Sequence, residues 1–296
     1  MMAPMADWFT SIPGMVLALA AAVTVCGTAA WAIGRRGGRY RGLPGWGGFW
    51  VLFSLLLVGL SRGPALLSFA VLAIVMFVSL RAYFFVAPVR PRDRYAILAS
   101  YLAIPTVIWP AFRGYDETVL ATLPILLFLC VPVFLSIGTT RDGLLDSMGR
   151  TIFGLLIFLF CMAHLGLLAH WPRPGILELY GILVILSEFV QRLAGRRRSE
   201  VGWTRIWAGI IISAVLAVIV GHILGPQCGL VEEDGGRAGF LVAIAVALGG
   251  AVSQAVWRDL ALKNDASPVG RGAFLNRIVP AAYAAPVYFH YLNTFA

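Results

Sequence analysis

The chain has 296 residues, 60% of them hydrophobic and only 12% charged, with a formal net charge of +9. Soluble domains carry about 25% charged residues, and roughly half of any globular surface must meet water, so these proportions exclude a water-soluble fold. A bilayer lifts the restriction by solvating the apolar outside, and an all-α, polytopic integral membrane protein follows. The sequence predicts a single membrane domain over 1–296, with N-terminal helices in 1–112 and C-terminal helices in 113–296.

A helix needs about 20 mostly apolar residues to cross the hydrocarbon. In chain order the candidate spans are 15–33, 46–60, 65–87, 95–112, 118–137, 150–170, 174–194, 203–225, 239–256 and 278–295. The second is short, and Gly63-Pro64 marks it as one arm of a broken hairpin with the third, so nine or ten transmembrane helices are expected. The stretch before the first span holds no basic residue, so it reads as a retained helix rather than a cleaved signal.

Loop charge sets the orientation. Arg35, Arg36, Arg39 and Arg41 follow the first span, and Arg90, Arg92 and Arg94 follow the third. Arg141 and Arg150 follow the fifth, Arg196, Arg197 and Arg198 the seventh, and Arg258, Lys263, Arg271 and Arg277 the ninth. The alternate loops hold only Arg62, Arg113, Arg173 and Arg237. Positive loops stay cytoplasmic, which predicts an outside N-terminus in a plasma (inner) membrane protein.

Of the 23 basic residues all but Lys263 are arginine. Arginine suits bidentate phosphate contact, but codon bias with interfacial anchoring gives the same count. The arginines are scattered among short loops, which argues against a nucleic-acid partner. Cys26, Cys130 and Cys161 lie in apolar runs, where cysteine acts as a small hydrophobe. Cys228 stands alone in a loop, and no spacing suggests zinc or a disulfide framework.

Ionisable groups inside spans are functional candidates. Arg81 stands near the cytoplasmic end of the third span, where it either snorkels to the interface or binds. His164, deep in the sixth span, is either hydrogen-bonded packing or a ligand. Glu188 and Arg192, one turn apart in ILSEFVQRLAGRRR, either neutralise each other or serve a site, with Gln191 nearby and anionic headgroups opposite the following arginine triplet.

The richest polar stretch is the cytoplasmic loop 257–277, which carries Arg258, Asp259, Lys263, Asp265, Arg271 and Arg277. Pro268, Gly270 and Gly272 let it bend closely around a ligand. Glycine permits backbone approach to phosphate, and arginine supplies countercharge. The residues themselves give an anion-handling loop.

The ending GRGAFLNRIVPAAYAAPVYFHYL resembles the C-terminal signature of phosphatidate cytidylyltransferases (CDP-diacylglycerol synthases). The signature runs roughly K-R-D, K-D-S-G, P-G-H-G-G, L-D-R-I-D and a closing A-P-V-F-F span. The matching residues are Arg258-Asp259, Lys263, Gly270, Gly272, Leu275, Arg277-Ile278 and Ala285-Pro286-Val287. Weaker echoes lie around Arg81, His164 and Glu188, at the same spacing and topology. The departures are specific. The family's Gly-Asp is Gly249-Gly250, the aspartate of L-D-R is Asn276, and the following aspartate is Val279. The histidine of the glycine-rich turn is Arg271, the segment between Asp265 and Gly270 is about two residues shorter, and the acid of the seventh span is Glu188 rather than aspartate. The S-P-x-K-T-x-E-G motif survives in VGWTRIWAG only as Arg205, Trp207 and Gly209.

The resemblance implies a reaction joining CTP to phosphatidate, with pyrophosphate released and CDP-diacylglycerol left in the membrane. It implies Asp259, Lys263 and Asp265 as catalytic residues, and Mg2+ on Glu188, Asp259 and Asp265. Arg258, Gly270, Arg271, Gly272, Arg277 and Arg192 would hold phosphates. Magnesium wants carboxylate oxygens, and the replaced carboxylates put that metal in doubt, so the alternative is an inactive relative that binds an anionic lipid as a scaffold or subunit. Small side chains at Ala281, Ala282, Ala284 and Ala285 suggest a helix face for a homodimer or partner subunit.

Overall fold

The computed structural model describes residues 12–33, 43–87, 89–90, 93–136, 143–193, 203–260 and 271–296. Among the described residues, helices stand at all ten predicted positions and no strand is present. They are α1 (Ile12–Ile33), α2 (Leu43–Arg62), α3 (Ala65–Val86) and α4 (Arg94–Phe112). α5 begins as Asp116–Ile125, passes through a π-helical stretch, Leu126–Cys130, and ends as Val131–Ser136. α6 is built alike, from Leu144–Leu155 through the π-helical Leu156–Cys161 into Met162–Ala169. α7 (Ile176–Leu193), α8 (Trp203–Leu224), α9 (Glu232–Asp259) and α10 (Arg271–Phe295) complete the chain.

Five of these segments are long and apolar enough to cross a membrane: Ala65–Val86, Arg94–Phe112, Leu144–Ala169, Ile206–Cys228 and Glu232–Asp259. The apolar stretches described in α1 and α2, Ile12–Ala22 and Gly47–Arg62, are shorter. α2 itself is longer than the span expected over 46–60, because residues 43–45 and 61–62 continue the helix at its two ends. Gly63 donates its N–H to the Gly59 carbonyl and ends that helix, and α3 starts beyond Pro64.

α7 and α10 are among the most buried rods. Ile176 to Ile185 of α7 are buried throughout, Glu178 included. Ala281, Ala282, Ala284, Ala285, Tyr288 and Phe289 of α10 are 0–2% exposed. Those alanines were the expected oligomer face, and the structure corrects that expectation. They are consumed by the protein's own helices, because small side chains let α10 sit deep in the bundle.

Large apolar side chains turn outward elsewhere. Leu66, Leu67, Ile74 and Phe85 of α3 and Ile211, Ile212, Val215, Ile219 and Ile223 of α8 are exposed. Patches of this extent are unusual on soluble monomers, and lipid covers them without cost.

In such a solvent, close backbone packing and hydrogen bonds hold helices together. α8 and α9 use paired small-residue steps, Ala217 against Gly239 and Gly221 against Gly235, with Gly225 just beyond α8 also facing Gly235. A Cβ on Gly221 would collide with the Gly235 carbonyl oxygen, and one on Gly239 with the Ala217 carbonyl oxygen. Gly249 plays the same part between α9 and α10, where an added Cβ would lie 2.7 Å from Tyr283 Cβ and 3.0 Å from Pro280 Cα. Hydroxyls tie the deeper rods: Tyr180 donates to the Ala281 carbonyl, Tyr288 to Ile176 at 3.3 Å, and Tyr83 to Arg150 at 2.9 Å.

Candidate functional site

Helix α9 carries polar groups at three levels. At the first, Gln191 of α7 reaches across and donates from Nε2 to Ser213 Oγ of α8 (3.0 Å) and to the Ala243 carbonyl of α9 (3.2 Å). Glu188, almost one turn back along α7, is 3% exposed, and Arg192 beside Gln191 is half-buried. The Gln191 amide and the Ser213 hydroxyl are both partnered here; an unmatched group would cost several kcal/mol in hydrocarbon.

At the second level Ser253 of α9 donates to Asn276 Oδ1 of α10 at 3.1 Å. Arg277 follows and is 8% exposed. Trp257 is buried one turn onward from Ser253, with no hydrogen-bond partner for its indole N–H among the described residues. The third level is the tip of α9, where Arg258 and Asp259 are exposed. From Ala243 to Ser253 is about 15 Å of helix and from Ala243 to Asp259 about 24 Å, at the ordinary rise per residue.

The predicted site residues are therefore only partly gathered. Asn276 meets α9 at the second level, with Arg277 next to it on α10, and Ser253 lies about 9 Å of helix below Asp259. Glu188 lies on α7 almost one turn before Gln191, whose amide is anchored to Ala243, and among the described residues it forms no metal-holding group with Asp259. Among the described residues no group of three or more His, Cys, Asp or Glu side chains is placed to hold a metal ion. Lys263, Asp265 and Gly270 lie outside the described residues, and for Arg271 and Gly272 the description extends only to their helical backbone in the first turn of α10. The loop arginines Arg35, Arg36, Arg39, Arg41, Arg92, Arg141, Arg196, Arg197 and Arg198 also fall outside.

Other readings resolve more simply. Arg81 is exposed on α3 and lies near the Tyr101 phenol of α4. Cys228 is buried rather than looped out, in a turn that packs against Gly175. His164 is fully buried, with Nδ1 2.8 Å from the Phe160 carbonyl.

Sequence reasoning missed Glu178. It lies in the first turn of α7 and is fully buried, with Oε1 accepting from Ser61 at 2.6 Å and facing Arg62 Nε at 3.4 Å. The signal was the solitary Arg62 between two spans, a countercharge without an evident partner. Asp93 was also missed. It is buried and accepts from Arg90 Nε at 2.8 Å and Nη2 at 2.9 Å, one on each carboxylate oxygen. Burial pushes its carboxyl up, but hydrogen bonds from Arg90 and Ser147 and the Arg90 charge outweigh that, and the group sits below its ordinary value.

No family model matches the chain, and no solved structure matches it. The chain is similar to a protein of Escherichia coli (strain K12) named Uncharacterized protein YnbB. The two are 26% identical over 269 residues, covering 84% of this chain and 85% of that one.

Proposed function

We propose that the chain is a phosphatidate cytidylyltransferase-like membrane protein, which joins CTP to phosphatidate and releases pyrophosphate. The observation that supports this best is the second level of α9. A buried arginine, Arg277, and an asparagine bonded to Ser253 stand just inside the exposed Arg258–Asp259 tip. An arginine between packed membrane helices is expensive and marks a functional position, and its planar fork fits phosphate oxygens. Arg258, Asp259 and Arg277 are also among the residues through which the C-terminus resembles the family, whereas Asn276 is one of its departures.

In this reading a phosphate oxygen of phosphatidate attacks the α-phosphorus of CTP. The bond to the β-phosphate breaks, and CDP-diacylglycerol stays in the bilayer. Arg277 and Arg258, with Arg271 and Arg192, neutralise the two polyanions; Gly270 and Gly272 let the backbone approach; Asp259, Lys263 and Asp265 serve the reacting phosphates. Magnesium would supply charge neutralisation, but the described carboxylates do not form its site. The topology proposed is nine or ten spans in the plasma (inner) membrane, with the N-terminus outside and the 257–277 stretch cytoplasmic; of the loop expected there, 257–259 belong to the end of α9 and 271–277 to the start of α10.

The distance along α9 between the Gln191 anchor and Asp259 favours a second reading. Here the same basic end holds an anionic lipid without turnover, and the protein is a scaffold or subunit. Pyrophosphate release separates the two. The enzyme reading predicts release that needs both CTP and phosphatidate and falls about 100-fold in Arg277→Ala, the usual cost of removing one preorganised charge-stabilising donor. Release that is absent, or indifferent to phosphatidate, leaves the scaffold.

A further inference from the structure

The end of the bundle opposite the Arg258–Arg277 levels carries a second constellation. His164 of α6 and His290 of α10 lie with ring centres 5.3 Å apart, flanked by Phe160 and Phe289. Arg277 and His290 are separated by about 20 Å of helix, so this is not a part of the phosphate end.

The state of His164 follows from its partner. A carbonyl oxygen only accepts, so the 2.8 Å contact with Phe160 requires the hydrogen on Nδ1. The neutral ring then presents a lone pair at Nε2. That nitrogen is buried and has no hydrogen-bond partner among the described residues, while the residue as a whole is 0% exposed. A backbone carbonyl on the far nitrogen is the arrangement that fixes a metal-binding imidazole in its ligating tautomer. His290 is exposed and stands five residues, about 8 Å of helix, from the end of α10. Two imidazoles bound tetrahedrally to one ion, with metal–nitrogen bonds of about 2.0–2.1 Å, have ring centres about 5 Å apart, which matches the observed spacing.

We propose that His164 and His290 form a two-imidazole site for a borderline divalent transition-metal ion of the zinc class, its remaining positions filled by water on the exposed side of His290. A carboxylate-seeking ion such as magnesium is not its ligand, because imidazole suits zinc, copper and nickel rather than hard cations. The inference is independent of the cytidylyltransferase reading and stands whether or not the protein turns over CTP.

The test is calorimetric titration of the full-length protein in detergent with Zn2+, using protein without a histidine tag and stripped of metal. The wild type should take up one equivalent. His290→Ala and His164→Gln should each weaken binding at least tenfold, and His222→Ala should bind as the wild type does. Because His164 is a core residue, the exposed His290→Ala carries the decision, with an unchanged metal-free melting temperature as the control of folding. Absence of stoichiometric uptake by the wild type, or equal affinity in His290→Ala, would overturn the site and leave an aromatic stack.

Discussion

Gln191 shows how a single polar side chain is accommodated in this protein. Its amide is shared between Ser213 and the Ala243 carbonyl, so one residue couples α7, α8 and α9. Interhelical hydrogen bonds in membranes are worth on the order of 1 kcal/mol, and Gln191→Leu should destabilise by about that amount, read as a lower melting temperature in detergent. Unchanged melting would show that the amide finds no net gain there. Asp93 gives a pH signature. Its folded carboxyl is held below the ordinary 3.8, so the stabilisation is complete above the unfolded value and is lost as pH falls through the folded one. Asp93→Asn should lower stability at neutral pH and flatten the acid limb of a stability-versus-pH curve; a limb as steep as the wild type's would assign it to other groups. Gln191 was visible in the sequence as a polar residue near Glu188, but its partners were not, because Ser213 and Ala243 are distant in the chain. Glu178 was invisible for a related reason. An acid in the first turn of a span resembles an interfacial residue until Ser61 and Arg62 are seen to close over it.

Helices were the most legible elements, since length and apolarity specify them directly, and all ten predicted positions are helical. What lies on each face was less so. Period and hydropathy do not separate a lipid-facing side from a protein-facing one when both are apolar, which is why the alanines of α10 read as an oligomer surface and proved to be core. The glycines supply the missing information once the structure is known. At Gly239 the partner is backbone, the Ala217 carbonyl, and backbone cannot rotate away as a side chain does. Gly239→Val should push α8 from α9 and cost about 1–3 kcal/mol, typical of overpacking, measured as thermal unfolding in detergent. Gly48→Ala, with open space around its Cβ, is the matched control and should be close to neutral. Equal effects of the two would remove the packing account.

Across the whole molecule, charge divides as the helices do. The stretch 257–277 carries six charged residues, while the other end of the same helices holds Glu178, Glu232, Glu233, Asp234, His164 and His290. The fold class could be read because composition alone rules out water as the solvent. The site could be read only as residue types, because Glu188 and Asp259 lie on different rods and their separation depends on packing that no spacing rule contains. The alternation of loop charge predicts that a cysteine placed at Arg258 reacts with an impermeant maleimide only after cells are opened, and one at Arg237 reacts in intact cells. The reverse pattern would invert the orientation and move the proposed CTP site away from the nucleotide.

The central claim is that the basic end of α9 and α10 brings a nucleotide to a lipid phosphate. Its most direct test is transfer of radiolabel from CTP into lipid by purified protein supplied with phosphatidate and magnesium, beside Asp259→Ala and an active family member in the same detergent. The account predicts labelled CDP-diacylglycerol from the wild type and its loss in the variant. No lipid product from the wild type, with the active relative succeeding alongside, would contradict it.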